Sequence, residues 1–324
     1  MGPEMNASQR AIAAVIGVGQ LGSRHVQGLA SCVSGLDLHL VDPSSSSLDA
    51  AMERWSQMAP SPIHRIETHR RLDELPNLLD LVVVACNAAE RAAVVSALAA
   101  SRTVGQWVLE KVLACDVEGL RVISEATDQA DGAWVNTPRR MLDWYARIGD
   151  KGVAGRPVEM EVTGGGWGLA CNAIHFLDLA VWWSGSEVVA IDTGGLRDEW
   201  KLARRDGYLE VEGRLHATMA DGGYVSMIDE GSGDRAINLR TWSGDWRIDE
   251  SAGRAFREDG LEVSGRLELQ SELTGPLAEE IFSTGACRLP TVTESVRAHQ
   301  VLLEALLDHR RRTGVPNASM VPIT

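Results

Sequence analysis

Aromatic residues other than tryptophan are scarce: three Phe and three Tyr stand against ten Trp in 324 residues. Ring packing in any core therefore falls mainly to Trp. Cysteine is sparse as well. Cys32, Cys86, Cys115, Cys171 and Cys287 are scattered with no CxxC pair and no Cys/His cluster at zinc-finger spacing, which argues against a disulfide framework or a structural metal and points to reduced thiols. No stretch reaches the roughly 18 to 20 apolar residues that span a bilayer. The polar first ten residues lack the apolar core of a signal peptide. A cytoplasmic protein with no membrane partner is expected. Runs of Lys or Arg are also missing. The balance is 31 basic against 45 acidic residues, a formal charge of -14, and no cluster is dense enough to track a phosphate backbone, so nucleic acid is not expected as a partner. There is no internal repeat and no low-complexity tract longer than residues 44–47.

What is present is a chain with 44% hydrophobic residues, able to bury a large core and long enough for two domains. Short apolar runs at residues 11–16, 36–41, 79–85, 104–109 and 133–135 alternate with segments of helical length such as 20–30 and 88–100. Near-continuous apolar strands imply a parallel sheet covered on both faces. After Pro138 the texture changes. A helical stretch at 141–148 leads to Lys151-Gly152, and alternating strands follow at 158–162, 208–219, 223–228 and 261–269. Asp221-Gly222-Gly223, Ser243-Gly244-Asp245 and Asp259-Gly260 are hairpin signals between strands. Helices are expected at 172–183 and 294–312. The reading is an α/β chain: a doubly wound parallel sheet over 1–138, then an α+β domain over 139–324 with a large, open, mostly antiparallel sheet for substrate binding and oligomerisation.

Gly17-Val18-Gly19-Gln20-Leu21-Gly22 places GxGxxG directly after the first strand and at the opening of a helix. Gly17 allows the tight turn, Gly19 lets the backbone approach a pyrophosphate, and Gly22 lets helix and strand pack closely, with the helix N-terminus facing the phosphates. Asp42, twenty residues beyond Gly22, supplies a carboxylate for a ribose 2′-hydroxyl. Together they predict a Rossmann domain that binds NAD. NADP stays open, since Ser44 to Ser47 offer hydrogen bonds to a 2′-phosphate if Asp42 turns away. Further expected cofactor contacts are Gln20, Leu21, Cys86, Asn87, Glu110 and Lys111.

Three further stretches make the chain resemble the glucose–fructose oxidoreductase/inositol dehydrogenase (Gfo/Idh/MocA) family over essentially its whole length. They are Gly22-Ser23-Arg24-His25, Glu110-Lys111-Val112, similar to the family's EKP segment, and Gly164-Gly165-Gly166 followed by Asn172-Ala173-Ile174-His175-Phe176-Leu177-Asp178. The resemblance implies that Lys111 and His175 are catalytic, flanking the carbon that gives or takes a hydride. A neutral His accepts the hydroxyl proton, and an ammonium polarises the forming carbonyl. The alternative readings are a solvated strand-end lysine paired with Glu110 for Lys111, and a core histidine bonded to a carbonyl for His175. Two positions depart from the family. Val112 replaces its proline, so a trans Lys111–Val112 peptide is expected. Cys171 stands where it has an acid.

Expected substrate contacts are Asn136, Arg139, Arg140, Trp167, Asn172 and Asp178. Asn172 serves either as a substrate contact or as a helix N-cap, and Asp178 either orients His175 or only solubilises its helix. Paired arginines suit an acidic or nucleotide-linked ligand, or salt bridges. Trp167 stacks on a sugar or packs in the core. The leading expectation is an NAD(P)-dependent dehydrogenase or ketoreductase acting on a secondary alcohol of a sugar, nucleotide sugar or cyclitol. Its alternatives are an NAD-retaining enzyme using transient oxidation for glycoside cleavage, elimination or epimerisation, and a non-catalytic dinucleotide-binding regulator. The open sheet predicts a homodimer or homotetramer.

Overall fold

The computed structural model describes residues 10–149 and 157–324; the expected lead at Lys151-Gly152 lies outside them. The chain forms two compact units. The first runs to Leu113 and adds Arg121–Asn136 and Glu268–Val292, while the second holds Ala114–Leu120, Thr137–Leu267 and Thr293–Thr324. A segment from far along the chain thus returns to the first unit, which a single boundary after Pro138 does not capture.

In chain order the first unit begins with β1 (Ala11–Ile16), α1 (Gly22–Leu29), β2 (Leu36–Val41), α2 (Ser45–Gln57) and β3 (Arg65–His69). It continues with β4 (Leu78–Val84), α3 (Ala88–Ser101), β5 (Thr103–Glu110), the part of α4 (Val117–Thr127) from Arg121 onward, and β6 (Gly132–Asn136). The six strands are all parallel, in the order β3-β2-β1-β4-β5-β6. β1 and the inner ends of β2, β4 and β5 are apolar because both sheet faces are buried. β3 is the exception: Arg65-Ile66-Glu67-Thr68-His69 forms an edge strand with largely exposed side chains, so no apolar run marks it.

The second unit contains α5 (Asp143–Ile148), β7 (Glu159–Gly164), α6 (Leu169–Ser184), β8 (Val188–Leu202), β9 (Leu209–Met219) and β10 (Tyr224–Asp229). The hairpins β11 (Ala236–Thr241), β12 (Gly244–Asp249), β13 (Arg254–Arg257) and β14 (Glu262–Ser264) follow. These eight strands form one sheet in the order β14-β13-β12-β11-β7-β10-β9-β8. Every pair is antiparallel except β7 with β10. α6 packs on β9 and β10, and the alternation in β7, with Met160 and Val162 buried and Glu161 exposed, leaves a polar outer face.

Only residues 262–264 of the expected strand at 261–269 pair with a neighbour. The chain then enters α7 (Gln270–Thr284), a helix of the first unit, and α8 (Val292–Arg312) closes the order. α7 packs against α1. Their approach is close because Gly28 meets Thr274 there: a Cβ at Gly28 would lie 2.8 Å from the Thr274 Cβ. Among the described residues no helix is long and apolar enough to cross a membrane.

Candidate functional site

In the first unit the expected cofactor residues gather at the carboxyl ends of the parallel strands, with β1 between β2 and β4, where the strand order reverses. Open α/β sheets bind ligands at such a switch point. Gly17 has φ +83°, and a Cβ there would meet the Cys86 backbone nitrogen at 2.7 Å. A Cβ at Gly22 would lie 1.8 Å from the Gly17 carbonyl oxygen, whereas one at Gly19 meets nothing within 4 Å. Two of the glycines are therefore demanded by the fold and the third faces open space. Leu21 precedes α1 without any side-chain cap, and no acid occupies the first turn, so this helix end is suited to an anion.

Asp42 follows β2. Its Oδ2 accepts the Val18 N–H at 3.0 Å and its Oδ1 the Ser44 N–H at 2.9 Å, which fixes the carboxylate beside the glycine turn. Ser44 is itself the N-cap of α2, accepting from the Ser47 N–H. Cys86 and Asn87 follow β4, with Asn87 as the N-cap residue of α3, and burial pushes the Cys86 thiol up. These residues fit an adenine dinucleotide: a turn whose Gly19 backbone faces open space, a helix end without a cap, and a ribose-side carboxylate.

Lys111 follows β5, next to a buried polar ring. Glu110 accepts hydrogen bonds from Asn136, and its Oε1 lies 2.9 Å from His25 Nε2. His25 Nδ1 lies 3.0 Å from Thr274 Oγ1, Gln270 donates to Thr274, and Asn136 donates to Gln270. Burial pushes the Glu110 carboxyl up, but His25, Asn136 and Lys111 outweigh it and hold Glu110 below the ordinary carboxylate value. Asn136, expected as a substrate contact, is thus a member of this ring.

The Lys111–Val112 peptide is cis, which corrects the expected trans bond. Here buried Arg91, and not a proline ring, fixes the backbone: its guanidinium donates to the carbonyls of Val112, Leu113 and Cys86. The sequence pattern gave no sign of Arg91's role, nor of Gln270 and Thr274, which reach the ring from a helix 249 residues beyond His25.

In the second unit the candidates surround α6. His175 and Asp178 are buried in it. Arg140 grips Asp178 through Nε at 3.0 Å and Nη2 at 2.7 Å and also reaches Glu294 at 2.8 Å, while Thr137 Oγ1 donates to Asp178 at 2.8 Å. Burial pushes the Asp178 carboxyl up to about 6, against the pull of Arg140 and Thr137. Arg139 forms a two-pronged pair with Glu250 at 2.7 and 3.0 Å. Arg235 and the Tyr145 hydroxyl donate to the same carboxylate. Burial alone would raise Glu250, yet these partners hold it down at about 2. Both arginine forks are thus filled by carboxylates of the chain.

Asn172 is not the N-cap of α6. Gly168 holds that position with φ +77°, and the Asn172 amide donates to the Trp167 and Gly168 carbonyls. The exposed backbone N–H groups are satisfied from neighbouring strands: Asp229 accepts from Gly166, Trp167, Gly168 and Leu169, and Glu210 from Ala170 and Cys171. An asparagine three residues before a histidine reads as a cap, and the two distant carboxylates leave no local sign. Trp167 donates to the Ile228 carbonyl at 3.0 Å and sets its ring edge-on to Phe176 at 5.6 Å. Cys171 donates through its thiol to the Thr324 carbonyl.

No protein-family profile matches the chain, and no curated protein matches it in sequence. Solved structures do match. UDP-N-acetylglucosamine 3-dehydrogenase GnnA from Acidithiobacillus ferrooxidans superposes with a TM-score of 0.70 at 14% identity, covering 94% of this chain and 99% of that one. Scyllo-inositol dehydrogenase from Lactobacillus casei, with bound NAD(H) and scyllo-inositol, gives 0.67 at 13% identity over 94% and 98% of the two chains. A super-repressor mutant of Gal80p from Saccharomyces cerevisiae gives 0.67 at 13% identity over 94% and 96%. The parallel sheet followed by a mostly antiparallel one is therefore the fold that the Gfo/Idh/MocA resemblance implied, and this chain shares it with sugar and cyclitol dehydrogenases and with Gal80p.

Proposed function

We propose that the chain is an NAD-dependent oxidoreductase of the Gfo/Idh/MocA family, acting on a secondary alcohol or ketone of a sugar, nucleotide sugar or cyclitol. The observation that carries the reading is the glycine turn: Gly17 and Gly22 are sterically required, while Gly19 faces open space beside the Asp42 carboxylate. The fold shared with a dehydrogenase crystallised with NAD(H) and scyllo-inositol supports it. When bound, the nicotinamide supplies the hydride acceptor or donor. Gly19, Gln20, Leu21 and Gly22 would cradle the pyrophosphate and Asp42 would take the ribose hydroxyls, its negative charge disfavouring a 2′-phosphate. Cys86, Asn87 and Glu110 would border the dinucleotide. His175 accepts the hydroxyl proton and Lys111 polarises the carbonyl oxygen. The polar face of the second sheet is the surface assigned to self-association.

The fold shared with Gal80p, together with Cys171 in place of the family's acid, supports a second reading as a dinucleotide-binding regulator. Calorimetry with NAD and NADP, followed by turnover with a panel of nucleotide sugars, sugar acids, neutral sugars and cyclitols, separates the two. NAD binding with NADH formation that Lys111→Ala and His175→Ala each abolish is the expected result. Binding without turnover selects the regulator, turnover without change in NADH absorbance selects a retained cofactor, and failure to bind either dinucleotide ends the proposal.

A further inference from the structure

β2 and β3 pair in parallel, with His39 opposite Glu67 and Val41 opposite His69. Side chains two apart on a strand share a face, so His39, Glu67 and His69 all point to the same side of the edge of the first sheet. His39 Nδ1 lies 2.9 Å from His69 Nε2 and 4.0 Å from Glu67 Oε2, and all three atoms fall within 4.8 Å of one another. His39 is buried, His69 is half-buried, and Glu67 is exposed. The two imidazoles share a single N–H···N contact, with their rings stacked at 5.1 Å.

We propose that His39, Glu67 and His69 bind one divalent transition-metal ion, with zinc as the best-suited occupant. Ligand bonds of about 2.0 to 2.2 Å to imidazole and carboxylate put neighbouring donor atoms roughly 3 to 3.5 Å apart. The two nitrogens already stand at about that separation. The carboxylate must close by up to about 1.5 Å, which an exposed glutamate does by a change of rotamer. Two imidazoles with one carboxylate select zinc, copper or nickel over magnesium or calcium, which prefer oxygen. Three protein ligands leave the fourth position to water.

The surroundings supply what such a site needs behind its ligands. The second nitrogen of His69, Nδ1, faces Glu74 Oε2 at 3.8 Å, and that oxygen is held by the Arg70 N–H at 3.0 Å. A negative charge on that side favours the proton on Nδ1, the tautomer that presents Nε2 to a metal. Arg65 stands two positions back from Glu67 along β3, opposite Asp37. The ligands come from two strands, 28 residues apart at the closest, so no spacing in the sequence announces them. The inference does not depend on the dinucleotide reading.

The test titrates the chelator-stripped full chain with Zn²⁺ by calorimetry, with Mg²⁺ as control and Co²⁺ for its visible absorption. One equivalent of Zn²⁺, with intense cobalt bands, is expected; His69→Ala abolishes it and Glu74→Gln weakens it about tenfold. Absence of stoichiometric Zn²⁺ uptake overturns the proposal, as does equal uptake by His69→Ala. Should circular dichroism show His69→Ala misfolded, Glu67→Gln decides, because its side chain is exposed: affinity reduced at least about tenfold supports the site, and unchanged affinity refutes it.

Discussion

Replacing Gly19 and Gly22 in turn by alanine separates the demands of the fold from those of the ligand. Gly19 has no positive φ and a Cβ there meets nothing within 4 Å. Gly19→Ala should leave the stability of the free protein within about 0.5 kcal/mol. At Gly22 the new carbon would sit 1.8 Å from the Gly17 oxygen, a contact that only a backbone shift relieves, at a cost of about 1 to 3 kcal/mol or more. With NAD at about a hundredfold over its dissociation constant the parent gains about 2.7 kcal/mol. At about 2.1 cal/mol/K of unfolding entropy per residue, that is a rise of roughly 4 °C in melting temperature for a chain of 324 residues.

Differential scanning fluorimetry with and without NAD reads both effects. Gly19→Ala should melt like the parent when free and lose the NAD shift, because its methyl occupies the space left for the pyrophosphate. Gly22→Ala should melt lower before any ligand is added. If Gly19→Ala kept the full NAD shift, no phosphate would approach that backbone, and the cofactor geometry argued from the glycine turn would be wrong.

Glu250→Gln tests the buried hub of the second unit. The carboxyl is held at about 2, against an ordinary 4.5, so its stabilisation is complete above pH ~4.5 and is lost as pH falls through ~2. Those 2.5 pH units correspond to about 3 kcal/mol. In urea unfolding the gap between parent and variant should close over that acid range, and a gap of constant size refutes the assignment. For substrate choice, neutral cyclitols and sugars should give higher kcat/KM than the corresponding sugar acids, and the reverse order would show that an arginine fork is free to bind substrate.

The sequence reveals the parallel strands because burial on both faces makes them apolar runs. β3 is hidden because an edge strand needs only one buried face, and Arg65, Glu67 and Thr68 are exposed. α7 is hidden by Pro276 inside it and by exposed Leu267 and Leu269 before it, which prolong the strand pattern of β14. The fingerprint is legible because its chemistry is local: three glycines and one carboxylate within 26 residues. The ring around Glu110 is not, because His25, Asn136 and the pair Gln270 and Thr274 come from three elements far apart in sequence. Nor does the doublet Arg139-Arg140 show which carboxylates it meets, since a guanidinium fork serves Glu250 or a ligand equally well.

The disposition of charge in the second unit bears on the substrate. A sugar acid or a phosphate is held either by an arginine fork or by the N–H groups of a helix end. In this unit Arg139 is taken by Glu250, Arg140 by Asp178 and Glu294, and the start of α6 by Asp229 and Glu210. An incoming anion would have to displace a buried carboxylate from its partners, and breaking such a pair costs about 3 to 5 kcal/mol. At about 1.4 kcal/mol per tenfold, that is a penalty of two orders of magnitude or more. Neutral hydroxyls face no such competition. The arginine doublet that suggests an acidic ligand in the sequence is therefore better understood as the frame that holds α6, through Asp178 and through the Arg139 guanidinium stacked 4.8 Å over Phe176.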